Sequence, residues 1–134
     1  MQTALIAALV LHVLSGVFWA GSTFVLARTG DNQADRLFRP QMGAAAVAVA
    51  TGAVLWFLLH RGTPGIQERL LEIGALSSLI AAGVQASSAR AVREWSAAGA
   101  PDAFRSSNRA VAGQRIAAAL LAVTVICMAA ARYA

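Results

Sequence analysis

The sequence predicts an all-α integral membrane protein, a single bundle of four transmembrane helices. Three observations carry that expectation. Four apolar runs, at residues 3–27, 42–60, 70–89 and 110–131, each approach the roughly 20 residues that a hydrocarbon core of about 30 Å requires. Only 13% of the 134 residues are charged, while 58% are hydrophobic, and a soluble domain needs more charge than that to cover its surface. Turn and charge signals fall between the runs, in "RTGDNQADRLFRP", "RGTPGIQER" and "REWSAAGAPDAFRSSNR", and the mean hydropathy is +0.63.

The first run is too long for a signal-peptide core and has no Lys or Arg ahead of it, so it reads as a membrane span and not as a leader. The second run contains "GAAAVAVATGA" and the fourth "AAALLA". In lipid the hydrophobic effect does not drive helices together, so close backbone approach through Gly and Ala has to do so. Dense small residues therefore predict a tightly packed bundle, and they suit a homodimer or a larger membrane complex. The third run carries a polar stripe of Gly74, Ser78, Ala81, Gln85 and Ser88, with Glu72 near its outer end, which is expected to line the interior. Pro40, Pro64 and Pro101 are placed in the breaks, where they interrupt no helix. One domain, residues 1–134, accounts for the whole chain.

Orientation follows from the arginines. All 11 basic residues are Arg. The isoelectric point near 11.4 invites a nucleic-acid reading, but these residues lie between apolar runs and form no single basic face. No nucleic-acid partner is expected, and the bilayer itself is the partner. The first and third breaks hold Arg28, Arg36, Arg39, Arg90, Arg93, Arg105 and Arg109, against Arg61, Arg69 and Arg132 on the other side. The positive-inside rule then puts both termini outside, on the periplasmic face of a bacterial inner membrane. Arg115, about a turn inside the fourth run, is expected to snorkel back to the inner interface.

The candidate for chemistry is His12. At 100° per residue it shares a stripe with Gly16, Trp19 and Thr23, and at 1.5 Å per residue it lies about 13 Å deep. An ionisable residue at such depth faces the bundle interior and is a functional candidate. The competing reading is a neutral imidazole bonded to a neighbouring helix. Gly16, one turn further in, leaves a shelf on which a flat macrocycle has room to lie. His60 ends the second run beside Arg61, on a stripe with Gly52 and Trp56, and reads as an interfacial anchor. Its depth differs from that of His12 by about two turns. With Cys127 and Met128 it forms a soft and imidazole donor set at the outer face that suits Cu(I), although neighbouring residues on a helix diverge by about 100°. The single cysteine excludes an intrachain disulfide. No nucleophile–base pair, phosphate loop, HExxH or CxxC is present, so hydrolysis and nucleotide chemistry have no support.

His12, Trp19 and Gly21 in the first helix (H-x6-W-x-G), and "FRSSN" ahead of the fourth, resemble the copper-resistance protein D superfamily, which includes heme-dependent protoporphyrinogen oxidases of bacterial membranes. The layout of four helices with a short second and a longer third break is also similar. The resemblance implies that His12 is a heme ligand. Gly74 stands where the oxidases carry a lysine and the chain has no lysine, so a heme or metal site is implied but protoporphyrinogen oxidation is not. The expected function is a small membrane hemoprotein for redox or electron-transfer chemistry. It would hold heme b through His12, with Gly16 and Gly74 making room, Trp19 closing the inner edge, and Arg61 and Arg69 pairing with the propionates. Two alternatives stand beside it. One is copper handling at the outer face through His60, Met128 and Cys127, passing ions inward towards His12, and the other is a cofactor-free structural subunit of a membrane complex.

Overall fold

The computed structural model describes residues 2–29, 34–59, 65–97 and 103–134, and all of their side chains except those at 34, 35, 92, 95, 96 and 103–107. Among the described residues the chain forms four helices: α1 (Gln2–Thr29), α2 (Ala34–Leu59), α3 (Ile66–Ala97) and α4 (Ala103–Ala131). Each is long and apolar enough to cross a membrane. In lipid every backbone N–H and C=O must find its partner inside the segment, and a helix satisfies that condition.

The helices overrun the apolar runs. α2 begins at Ala34, eight residues ahead of the expected 42, α3 continues to Ala97, and α4 starts at Ala103. The apolar run marks only the stretch that lipid covers, while flanks rich in Ala, Arg, Gln and Glu favour the helix in water as well. Pro40 is the casualty of this difference, because it lies inside α2 and not in a break. The carbonyl left without its helical partner belongs to Arg36, an exposed residue, so water can satisfy it. At the start of α3 the Gly65 N–H donates to Glu68 Oε2 at 2.8 Å, which satisfies a terminal donor and puts a negative charge at the positive end of the helix dipole.

Successive helices run antiparallel. His12 meets Ala48 and Thr23 meets Gln41 across α1 and α2. Gly74 meets Thr124, and Gln85 meets Gln114, across α3 and α4. These two hairpins are the most extensive pairings. α1 also packs on α4, whereas α2 touches α3 over a short stretch only, so the order around the bundle is α2, α1, α4, α3. The core sets one large ring among small residues: Trp19 and Leu121 are surrounded by Ala45, Ala48, Ala81 and Ala117. Large apolar side chains lie outside instead, among them Val17, Phe57, Leu76 and Ile126. An apolar exterior around a core of small and polar residues is the arrangement that lipid contact favours.

Candidate functional site

His12 projects from the middle of α1 onto α2. Its Nδ1 lies 2.8 Å from the Ala48 carbonyl oxygen and 3.3 Å from Thr51 Oγ1. A carbonyl only accepts, so Nδ1 carries the proton and the imidazole is held as the tautomer whose Nε2 has a free lone pair. The Thr51 hydroxyl donates to Val47 O at 2.6 Å, which leaves its oxygen turned to the ring as a second acceptor. Nε2 has no hydrogen-bond partner among the described residues. Glycine at position 52 makes this contact possible. A Cβ there would stand 3.0 Å from His12 Cε1 and 3.4 Å from Nδ1, so the ring occupies space that any other residue would claim.

The rest of the expected stripe faces the bundle. Trp19 and Thr23 are buried and His12 and Gly16 are half-buried. Nothing lies within 4 Å of the position a Gly16 Cβ would take, so that face of α1 is open one turn further in than His12. Trp19 is tied up elsewhere: its Nε1–H donates to Gln85 Oε1 of α3 at 2.8 Å. Gly74 does not open a cavity. It packs into the α3–α4 seam, its missing Cβ 3.4 Å from Cys127 Cβ and from the Thr124 carbonyl oxygen and 3.6 Å from Met128 Cγ. Thr124 Oγ1 donates to the Gly74 carbonyl oxygen at 3.0 Å. Small residues mark close approach without saying what approaches, and here it is α4. Met128 and Cys127 are half-buried on that seam. Arg69 is exposed in the first turn of α3, and His60 and Arg61 lie outside the described residues. Of the expected site, then, His12 packs on α2, Gly16 one turn further in has no heavy atom within 4 Å of its Cβ position, Trp19 closes the interior beyond it, and Gly74 belongs to another seam.

Trp19 leads to a second constellation, a polar network that joins all four helices. Gln85 Nε2 donates to Thr23 Oγ1 at 2.9 Å and to Gln114 Oε1 at 3.1 Å. Gln41 Nε2 donates to Thr23 Oγ1 at 2.8 Å, and Thr23 Oγ1 donates in turn to the Trp19 carbonyl at 2.7 Å. Longer contacts at 3.4 and 3.5 Å link the Gln41 and Gln114 amides. Thr23, Gln41 and Gln85 are almost wholly buried, at 0%, 0% and 2% exposure. The Thr23 hydroxyl and the Gln85 amide nitrogen use all their hydrogen-bonding capacity. Sequence reading found Gln85 and Trp19 but missed Gln41 and Gln114. For Gln114 the available signal was depth, since it lies four residues inside the apolar run that starts at 110, about 6 Å in, whereas Gln41 precedes the run that starts at 42 and carries no such signal.

No protein-family model, no curated protein and no solved structure matches this chain. Function therefore rests on the site chemistry. Among the described residues no group of three or more His, Cys, Asp or Glu side chains converges. A bare copper ion needs several protein donors, and here the described donors are dispersed, with His12 on the α1–α2 contact and Met128 and Cys127 on the α3–α4 seam. Heme iron brings its own ring nitrogens and asks the protein for an axial ligand. A lone imidazole with its Nδ1–H held by a carbonyl and its Nε2 unengaged fits that requirement. The open space at Gly16 fits it too, whereas Gly74 contributes nothing to it.

Proposed function

We propose that the chain is a small membrane hemoprotein in which His12, through Nε2, would hold the heme iron. The observation that supports it most is the single-sided engagement of the imidazole, with Nδ1–H bonded to Ala48 O at 2.8 Å and Nε2 left without a partner. A hydrogen bond from the far ring nitrogen is what orients a ligating histidine and raises its basicity. Ala48 and Thr51 fix the ring direction, Gly52 allows its close approach, and Gly16 supplies space on the same helix. The Trp19–Gln85 bond closes the interior between that space and the arginine-rich end. Heme b bound there would supply one-electron redox or ligand chemistry. The resemblance in H-x6-W-x-G points the same way.

In a bacterial inner membrane, the location this reading takes, the arginine asymmetry supports both termini on the periplasmic side. The test is an absorption spectrum and iron and copper analysis of the purified protein, expressed with ample heme and also reconstituted. A Soret band with stoichiometric iron is expected. A spectrum without that band in both preparations, and without iron, removes the proposal, and copper in its place supports the metal-handling alternative.

One observation favours a second reading. The glutamine network is closed on itself and spans all four helices, as a scaffold requires, and His12 already makes a helix–helix hydrogen bond. A cofactor-free structural subunit would show neither band nor metal and would co-purify with partner chains.

A further inference from the structure

The described side chains divide sharply in charge between the two ends of the bundle. At one end stand Arg28 on α1, Arg36 and Arg39 on α2, Arg90 and Arg93 on α3, and Arg109 on α4, all exposed, with Arg115 deeper on α4. Glu94 is the one carboxylate described among them. At the other end Arg69 and Arg132 are matched by Glu68 and Glu72. Arg28 makes no hydrogen bond or ion pair among the described residues. Arg115 is anchored, since its Nε donates to the Ala27 carbonyl at 3.4 Å, one of the last α1 carbonyls that have no partner within the helix. That bond places its guanidinium in the α1–α4 seam, next in sequence to Arg28, with the terminal nitrogens left over.

The surface below this pair is apolar. Residues 28, 24, 21, 17 and 14 follow one face of α1, and Phe24, Val17 and Leu14 on it are 44%, 66% and 64% exposed. On α4, Ile116 and Val123 are exposed at 53% and 42%. Gly21 adds no side chain to that face and has nothing within 4 Å of its Cβ position.

We propose that this seam holds an anionic phospholipid, its phosphate between Arg28 and Arg115 and its acyl chains along the α1 stripe below. Guanidinium binds phosphate oxygens with paired, charge-assisted hydrogen bonds. A headgroup at the span's end with chains down an exposed apolar stripe accounts for both halves of the surface, whereas a free phosphate accounts only for the first.

The test uses the full chain in phosphatidylcholine vesicles, with spin-labelled phosphatidylglycerol and phosphatidylcholine compared for association with the protein. The parent should prefer phosphatidylglycerol. Arg28→Gln, on an exposed side chain, should lower that preference by about two- to fivefold, and Arg28→Gln with Arg115→Gln should bring it close to unity. Arg132→Gln at the other end should leave it unchanged. If the double variant does not form the bundle, Arg28→Gln alone decides. No preference in the parent, no loss in Arg28→Gln, or an equal loss in Arg132→Gln would overturn the proposal. So would loss of the preference in millimolar inorganic phosphate but not in chloride of equal ionic strength, which would assign the site to a free anion.

Discussion

An imidazole in the middle of a membrane span is tolerated when its polar atoms find partners, and the Ala48 carbonyl and Thr51 hydroxyl supply partners for one nitrogen of His12. The position of the ring depends on the absence of a side chain opposite it. Gly52→Ala would put a Cβ 3.0 Å from His12 Cε1, so the ring must turn or α1 and α2 must separate slightly. Overpacking of this kind costs about 1 kcal/mol or somewhat more. Gly52→Ala should therefore lower the unfolding midpoint and shift the Soret maximum of heme-loaded protein, while Gly43→Ala, with nothing within 4 Å of its Cβ, should change neither. Equal effects of the two would show that the ring does not lie over Gly52. His12 and Trp19 were legible in the sequence because a polar atom inside an apolar run has to be satisfied internally. Gly74 was not, because a missing side chain signals contact but carries no information about the partner.

At the scale of the helices, the network of Gln41, Gln85 and Gln114 with Trp19 and Thr23 provides direct hydrogen bonds between the two hairpins. Gln85→Ala removes the acceptor of Trp19 Nε1–H and two donors at once. Interhelical hydrogen bonds in membranes average about 0.6 kcal/mol and reach about 1.7 kcal/mol. With a buried indole N–H left unpaired, the expected loss is about 1–2 kcal/mol, read as bundle stability in graded denaturing detergent. An unchanged stability would mean that the network does not join the hairpins. The glycines of the α3–α4 seam make a second comparison. A Cβ at Gly113 would run into Ser88 Oγ and approach Ser88 Cβ to 2.9 Å, whereas at Gly74 the nearest atoms are at ordinary contact distance. Gly113→Ala should destabilise by about 1–3 kcal/mol and Gly74→Ala by much less. Four helices were legible from the apolar runs, but their ends were not, since lipid coverage ends where α2 and α3 continue as ordinary helices. Gln41 shows the limit from the other side. It follows Pro40 at the edge of a run and reads locally as part of a break, and only the antiparallel pairing with α1 brings it to Thr23.

At the scale of the whole molecule, two antiparallel hairpins close around a core of alanines and one tryptophan, with a cationic end and an almost neutral one. The positive-inside rule predicts that the cationic end is the cytoplasmic one. Reporter fusions or cysteine labelling should therefore place the α1–α2 and α3–α4 connections inside and both termini outside. A connection at residues 30–33 accessible from outside would reverse the orientation and move the phospholipid seam to the other leaflet. His12 lies away from the arginine-rich end of the bundle, with the Trp19–Gln85 hydrogen bond between the two.

The most direct test of the central claim is the heme and iron content of His12→Ala beside the parent, purified under the same conditions and confirmed as an intact bundle by circular dichroism and gel filtration. The bundle should persist, because its packing rests on small residues and on the glutamine network, and the Soret band and bound iron should be lost. A His12→Ala protein that keeps the parent's spectrum and iron content would contradict the assignment of Nε2 as the ligand.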